Sequence, residues 1–183
     1  MSLTLLNRRR LLAGGAGLTA GVAVLGGADV AAGGLHLSAD DLVAIHNLKA
    51  GYAYGSDALA RGDLDEGRAR YRSVFTDKAH VTSPPIDAIG PDDAADQVLA
   101  LLQQTGAAKS QHLLGTIEIT APDRGHNQAA VRAYVQATVI LTTGGLIRVL
   151  ATYDDVAFRT RAGWRLSSSA ATTLNAEVVP PPS

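Results

Sequence analysis

Cysteine is absent from the 183 residues. That excludes a disulfide scaffold, a thiolate nucleophile and any metal site with cysteine ligands. Aromatic side chains are scarce, five Tyr, two Phe and one Trp, too few for a base-stacking platform. Neither sign of charge dominates: 16 basic against 17 acidic side chains supply no bulk positive field for nucleic acid. No hydrophobic run is long enough for a stable membrane span. The most apolar stretch, Leu11 to Leu25, is short and diluted by Gly14, Gly15, Gly17 and Gly21. What remains is about one domain's worth of chain, 46% apolar, enough for a self-supporting core.

Residues 1–32 read as an export signal. Asn7-Arg8-Arg9-Arg10-Leu11-Leu12 puts a basic segment before a weakly hydrophobic, Gly/Ala-rich one, with small residues at Ala31 and Ala32 for cleavage. Adjacent arginines followed by x-Leu-Leu resemble a twin-arginine signal. The expected partner is the twin-arginine export machinery, and the expected location is periplasmic or extracellular. Gly15-Ala16-Gly17-Leu18-Thr19-Ala20 matches a dinucleotide-binding pattern, but it follows three arginines instead of a strand and is set aside. Cleavage after Ala32 would leave 13 basic and 16 acidic side chains, a mildly acidic domain after a linker over 33–37.

The domain itself reads as helices first and strands second. Ser38-Ala39-Asp40-Asp41 starts a helix with Ser38 as N-cap, and Leu42, Ile45, Leu48, Tyr52 and Leu59 recur at core-facing spacing. Gly62 ends it. Asp63-Leu64-Asp65-Glu66 repeats the capping logic for a second helix to Phe75, with Leu64, Tyr71 and Phe75 inward. Its Arg68, Arg70 and Arg72, preceded by Asp65 and Glu66, read as an ion-paired solvated face. A short strand over 79–82 ends at Ser83-Pro84-Pro85, and Pro91 opens a third helix with Val98, Leu101 and Leu102 inward.

From Gln111 the period changes to two. Segments 111–120, 129–141, 146–159 and 164–173 alternate as strands, separated by Asp123-Arg124-Gly125, Thr143-Gly144-Gly145 and Arg161-Ala162-Gly163. Three helices followed by four antiparallel strands predict an α+β fold over 38–173. The Pro-rich tail 174–183 is expected to be loose, and Trp164, the largest residue of the final strand, to be buried.

Tyr52-Ala53-Tyr54, Ala58-Leu59-Ala60-Arg61-Gly62-Asp63-Leu64-Asp65 and Val74-Phe75-Thr76-Asp77-Lys78-Ala79 resemble the opening of SnoaL-like proteins in the nuclear transport factor two superfamily. Gln111-His112-Leu113-Leu114-Gly115-Thr116, and Thr152-Tyr153-Asp154-Asp155 leading to Gly163-Trp164-Arg165-Leu166, agree with it. The resemblance runs over roughly residues 38–170. It implies a cystatin-like, cone-shaped α+β barrel: three N-terminal helices on a strongly curved antiparallel sheet, enclosing an apolar pocket for a small hydrophobic or cyclic ligand. Members include ketosteroid isomerase, scytalone dehydratase and polyketide cyclases, and a shared fold does not fix the chemistry.

Within that frame His112 resembles the pocket histidine of scytalone dehydratase, and an imidazole can take and return a proton. The alternatives are a histidine that lines the pocket without catalysis, or a structural one hydrogen-bonded inside the cone. The dehydratase-like pattern implies a carboxylate where Ala60 stands, a second histidine at about Ala137 and a tyrosine at about Ser83. Asp57, one turn before Ala60, either pairs with His112 or is an exposed helix residue. Tyr52 and Tyr153 are candidate pocket hydroxyls. Val131, Ala133, Val135, Ala137 and Val139 form one apolar strand face, so Val135 and Ala137 join the candidate pocket. Opposite them, Arg132, Tyr134, Gln136 and Thr138 form an outer face able to pair two copies as a homodimer. Asp154 and Asp155, being adjacent, point to opposite faces, and Ser167-Ser168-Ser169 reads as a polar strand edge. His36, His46, His80, His112 and His126 are scattered without zinc spacing, so neither a metal site nor a cofactor is expected. Two readings follow: a cofactor-free dehydratase, isomerase or cyclase using His112, and a non-catalytic binding or dimeric structural module.

Overall fold

In the computed structural model the described residues are 37–121 and 127–182. The export signal, most of the linker and the Asp123-Arg124-Gly125 turn lie outside them. Helix α1 (Ala39–Ala60) begins with a capping box, in which the Asp41 N–H donates to Ser38 Oγ and the Ser38 N–H to the Asp41 carboxylate, 3.1 Å each. It ends before Gly62, whose φ of 82° is a left-handed turn conformation suited to glycine. Helix α2 (Leu64–Val74) is capped by Asp63, which accepts from the Glu66 N–H. The chain passes directly into β1 (Phe75–Ser83), longer than the 79–82 expected, then β2 (Ile86–Ile89) and α3 (Pro91–Thr105) with proline in its first turn. Strands β3 (Ala107–Thr120), β4 (Gln128–Leu141), β5 (Leu146–Thr160) and β6 (Gly163–Val179) follow.

These strands form one six-stranded sheet in the order β2-β1-β6-β5-β4-β3. Strands β3 to β6 are antiparallel neighbours in chain order, as expected. The all-antiparallel expectation fails at β1, which pairs parallel with β6. Everything from β2 through β5 intervenes between those two strands, which is the long crossover that a parallel pair requires. The sheet is therefore mixed, and it is open, with β2 and β3 at its edges instead of a closed barrel seam. Two of the helices precede every strand, whereas α3 is inserted between β2 and β3.

The tail expectation also needs correction. Strand β6 continues to Val179, with Leu146 opposite Val179 and Arg148 opposite Glu177, because β5 reaches back to Leu146 and offers a partner along that length.

The core is built from Ile45, Leu48, Tyr52 and Leu59 on α1, Tyr71 and Val74 on α2, Phe75 on β1, Val131 and Val135 on β4, and Leu166 on β6. Leu42 departs from its expected place and is 41% exposed. With Val43, His46, Asn47, Ile117 and Ile119 it lines a shallow cavity of about 400 Å³ facing solvent. Val98, Leu101 and Leu102 of α3 are half-buried against the core. Trp164 is buried, and its Nε1–H donates to Asp41 Oδ1 at 3.0 Å. The α2 arginines are ion-paired as expected, but mainly across to α3: Arg68 with Asp96 and Arg72 with Asp92. Ser169 is buried, since β6 is an interior strand and not a polar edge.

Candidate functional site

Helix α1, packed against β3, contributes buried Lys49 and Tyr52, whose side chains reach β5, and half-buried Asp57. Strand β3 brings Ser110 and His112, two residues apart and so on one face. Strand β5 brings Tyr153 and Asp155 by the same rule.

Asp57 and His112 meet, with His112 Nδ1 2.7 Å from Asp57 Oδ1. Ser110 Oγ donates to the same oxygen at 2.7 Å, and the His112 backbone N–H donates to Oδ2 at 3.3 Å. The exposed-residue reading of Asp57 is thereby overturned: its side chain is 15% accessible, and that of His112 13%. Burial by itself would raise the Asp57 carboxyl. The hydrogen bonds from His112 and Ser110 outweigh it and hold the group below the ordinary carboxylate value.

The Tyr52 ring presents an edge-on contact to His112, with centroids 6.4 Å apart and planes at 76°. Its hydroxyl lies 3.2 Å from that of Tyr153. Burial pushes both phenols up, so they remain protonated hydrogen-bond donors. Tyr71 completes this layer, with its hydroxyl 2.9 Å from Ser56 Oγ.

Of the apolar candidates, Ala60 and Val135 are buried. Ala137 sits opposite His112 on one side and Val149 on the other, so His112, Ala137 and Val149 form a cross-strand row. No polar group stands at positions 60 or 137. Of the expected outer face, Arg132, Tyr134 and Gln136 are exposed, with Arg132 donating to Asp154 at 2.7 Å, whereas Thr138 is half-buried.

Sequence reasoning missed the partner of Asp155. Asp155 is buried and its Oδ2 lies 2.7 Å from Lys49 Nζ, both side chains fully enclosed. Lys49 falls beside the Ile45–Leu48–Tyr52 stripe, and a charge in that position was the available signal. Ser110 was also missed. Its alternation with His112 marks it as sharing the face.

A family model described as the SnoaL-like domain matches residues 38–170. The chain belongs to the SnoaL-like domain family. No curated protein matches at a significant level. Among solved structures, this SnoaL-like domain is similar to the hexachlorocyclohexane dehydrochlorinase LinA-type3 of Novosphingobium barchaimii LL02. That match has 18% identity and a TM-score of 0.65, covering 76% of this chain and 90% of that one. It is similar also to a provisionally named scytalone dehydratase of Novosphingobium aromaticivorans, with 19% identity, TM-score 0.61 and coverage of 78% and 93%. A third, the Kfla4162 protein of Kribbella flavida, has 25% identity, TM-score 0.60 and coverage of 75% and 93%. The likeness to these structures is one of fold.

Proposed function

We propose that this protein is a cofactor-free acid/base enzyme of the lyase or isomerase type, acting on a small apolar, oxygen-bearing, cyclic molecule. The observation that carries the reading is the 2.7 Å contact between His112 Nδ1 and Asp57, with the carboxylate itself anchored by Ser110 and by the His112 backbone. An acceptor on Nδ1 places the proton of the neutral ring there and leaves the Nε2 lone pair for substrate. His112 then removes a proton from carbon and returns it, either to the substrate or to a leaving group. The Tyr52–Tyr153 hydroxyls, held protonated, donate to the substrate oxygen on which charge develops. Ala137, Val149 and half-buried Leu114 supply apolar lining.

The names of two neighbouring structures, a dehydrochlorinase and a dehydratase, denote removal of hydrogen chloride and of water, and a dyad able to take a proton suits such a reaction. Ala60 and Ala137, where the dehydratase-like pattern implies polar groups, favour the second reading, a non-catalytic ligand binder. Proton exchange decides between them. In D2O the protein should accelerate hydrogen–deuterium exchange alpha to the carbonyl of cyclic ketones, and His112→Ala should lower that rate about 10²–10⁴-fold. Exchange no faster than in buffer, or indifferent to His112, would leave the binding reading.

The same proposal places the domain outside the cytoplasm through the twin-arginine route, and as a homodimer. Changing Arg8, Arg9 and Arg10 together to Lys should abolish export in a reporter fusion, because paired guanidinium groups are not imitated by ammonium. Unchanged export would remove that route.

A further inference from the structure

Four buried side-chain polar atoms have no hydrogen-bond partner among the described residues: Lys49 Nζ, both carboxylate oxygens of Asp155, and Ser169 Oγ. They belong to one region of the interior. Asp155 and Ser169 are register partners on β5 and β6, and Lys49 Nζ lies 2.7 Å from Asp155 Oδ2. At that separation Lys49 and Asp155 form a fully enclosed ion pair. A buried pair of this kind is a poor source of stability, because apolar side chains of similar volume often serve equally well or better. Its presence is better explained by another role.

The surroundings of the ammonium supply one. Nζ lies 4.1 Å from the centroid of Tyr153 and 5.1 Å from that of Tyr52. Those two rings are 5.4 Å apart and inclined at 61°, so the cation sits close to both. A desolvated cation on aromatic faces is attracted to each ring, and tilting either ring away loses that attraction. The hydroxyls that meet at 3.2 Å belong to these same rings. Two hydroxyls carry two protons, and the bond between them occupies one.

We propose that Lys49 is a positioning residue, clamped by Asp155 so that its ammonium fixes the Tyr52 and Tyr153 rings and keeps the spare hydroxyl proton of the pair available to a substrate oxygen. The final clause rests on the acid/base reading above. The clamp itself does not.

The test removes both charges together, as Lys49→Met with Asp155→Leu, so that no unpaired charge is left buried. This double variant should keep or exceed the wild-type melting temperature. Exchange of the Tyr52 and Tyr153 hydroxyl protons, followed by NMR on tyrosine-labelled protein, should quicken at least about tenfold. The ring nitrogen shifts of His112 should stay where they are. A folded double variant with unchanged hydroxyl exchange would overturn the proposal while leaving the His112–Asp57 reading intact. Failure of ketone exchange in the wild type would do the reverse. If the double variant does not fold, Asp155→Asn serves instead. There Lys49 loses the counter-charge that clamps it, and the same quickening is expected, with its absence again decisive.

Discussion

Asp57 accepts three hydrogen bonds from one strand: from Ser110 Oγ, from the His112 backbone and from the His112 ring. Such a carboxylate can neither rotate nor lose its charge without leaving a donor unsatisfied, at roughly 1–3 kcal/mol each. It therefore dictates the tautomer of the ring it faces. Ring ¹⁵N NMR should find neutral His112 protonated on Nδ1. In Asp57→Asn the ring should populate both tautomers, and ketone exchange should fall about 10²–10⁴-fold. A single Nε2-protonated tautomer in the wild type would contradict this orientation. Lys49 makes a second prediction at this scale. Lys49→Met alone strands the Asp155 carboxylate and should cost about 3–5 kcal/mol in denaturant unfolding, whereas the double replacement should not. The sequence made His112, Tyr52 and Tyr153 visible on separate grounds: helical spacing marks Tyr52, and the resemblance marks His112 and Tyr153. Lys49 and Asp155 were hidden for a physical reason. Each is a charge on a buried face, and only the pairing of α1 with β5, more than a hundred residues apart, makes either one intelligible.

Between elements, α1 packs closely on α2 at Gly67. A Cβ placed on Gly67 would lie 2.4 Å from Leu59 Cδ2 and 2.6 Å from its Cγ. Leu59 is itself fully buried, so neither helix can yield. Gly67→Ala should therefore destabilise by about 1–3 kcal/mol through overpacking, although alanine is the better helix former. Thermal unfolding checks the sign: a stabilised variant would mean that the helices can separate. The same pair shows what local pattern conveys. Ser38, Asp63, Pro91 and Gly62 mark helix ends through caps and a left-handed turn, and the helices lie where those signals put them. Strand β2 has only four residues behind two prolines and no pattern long enough to read. The extension of β6 past Thr173 was obscured by its exposed, mixed composition. Its existence depends on β5 supplying Leu146 to Leu150 as a ladder, which no property of residues 174–179 themselves announces.

Across the whole molecule, Asp41 ties the start of α1 to the distal ends of β5 and β6. It accepts from Trp164 Nε1, pairs with Arg159, and closes the Ser38 capping box, while the Arg159 guanidinium stacks over the Trp164 ring at 4.9 Å. The bond from Trp164, then that from Arg159, hold the Asp41 carboxyl well below the usual carboxylate range despite some desolvation. Asp57, Asp92 and Asp93 are held below it as well. A carboxyl depressed on folding stabilises the protein fully above its unfolded value, near pH 4. That contribution is lost as pH falls through the folded value. All four groups act with the same sign, so stability should be flat near neutrality and decline below about pH 4. Trp164 is the only tryptophan and reports the transition by fluorescence from within the cluster concerned. Asp41→Asn should be less stable than the wild type at pH 7, and the gap should narrow as pH falls from 4 toward 2, because the unfolded chain then binds the proton that folded Asp41 still excludes. A gap that stays constant from pH 7 to pH 2 would show that the ionised carboxylate of Asp41 does not hold α1 to the sheet.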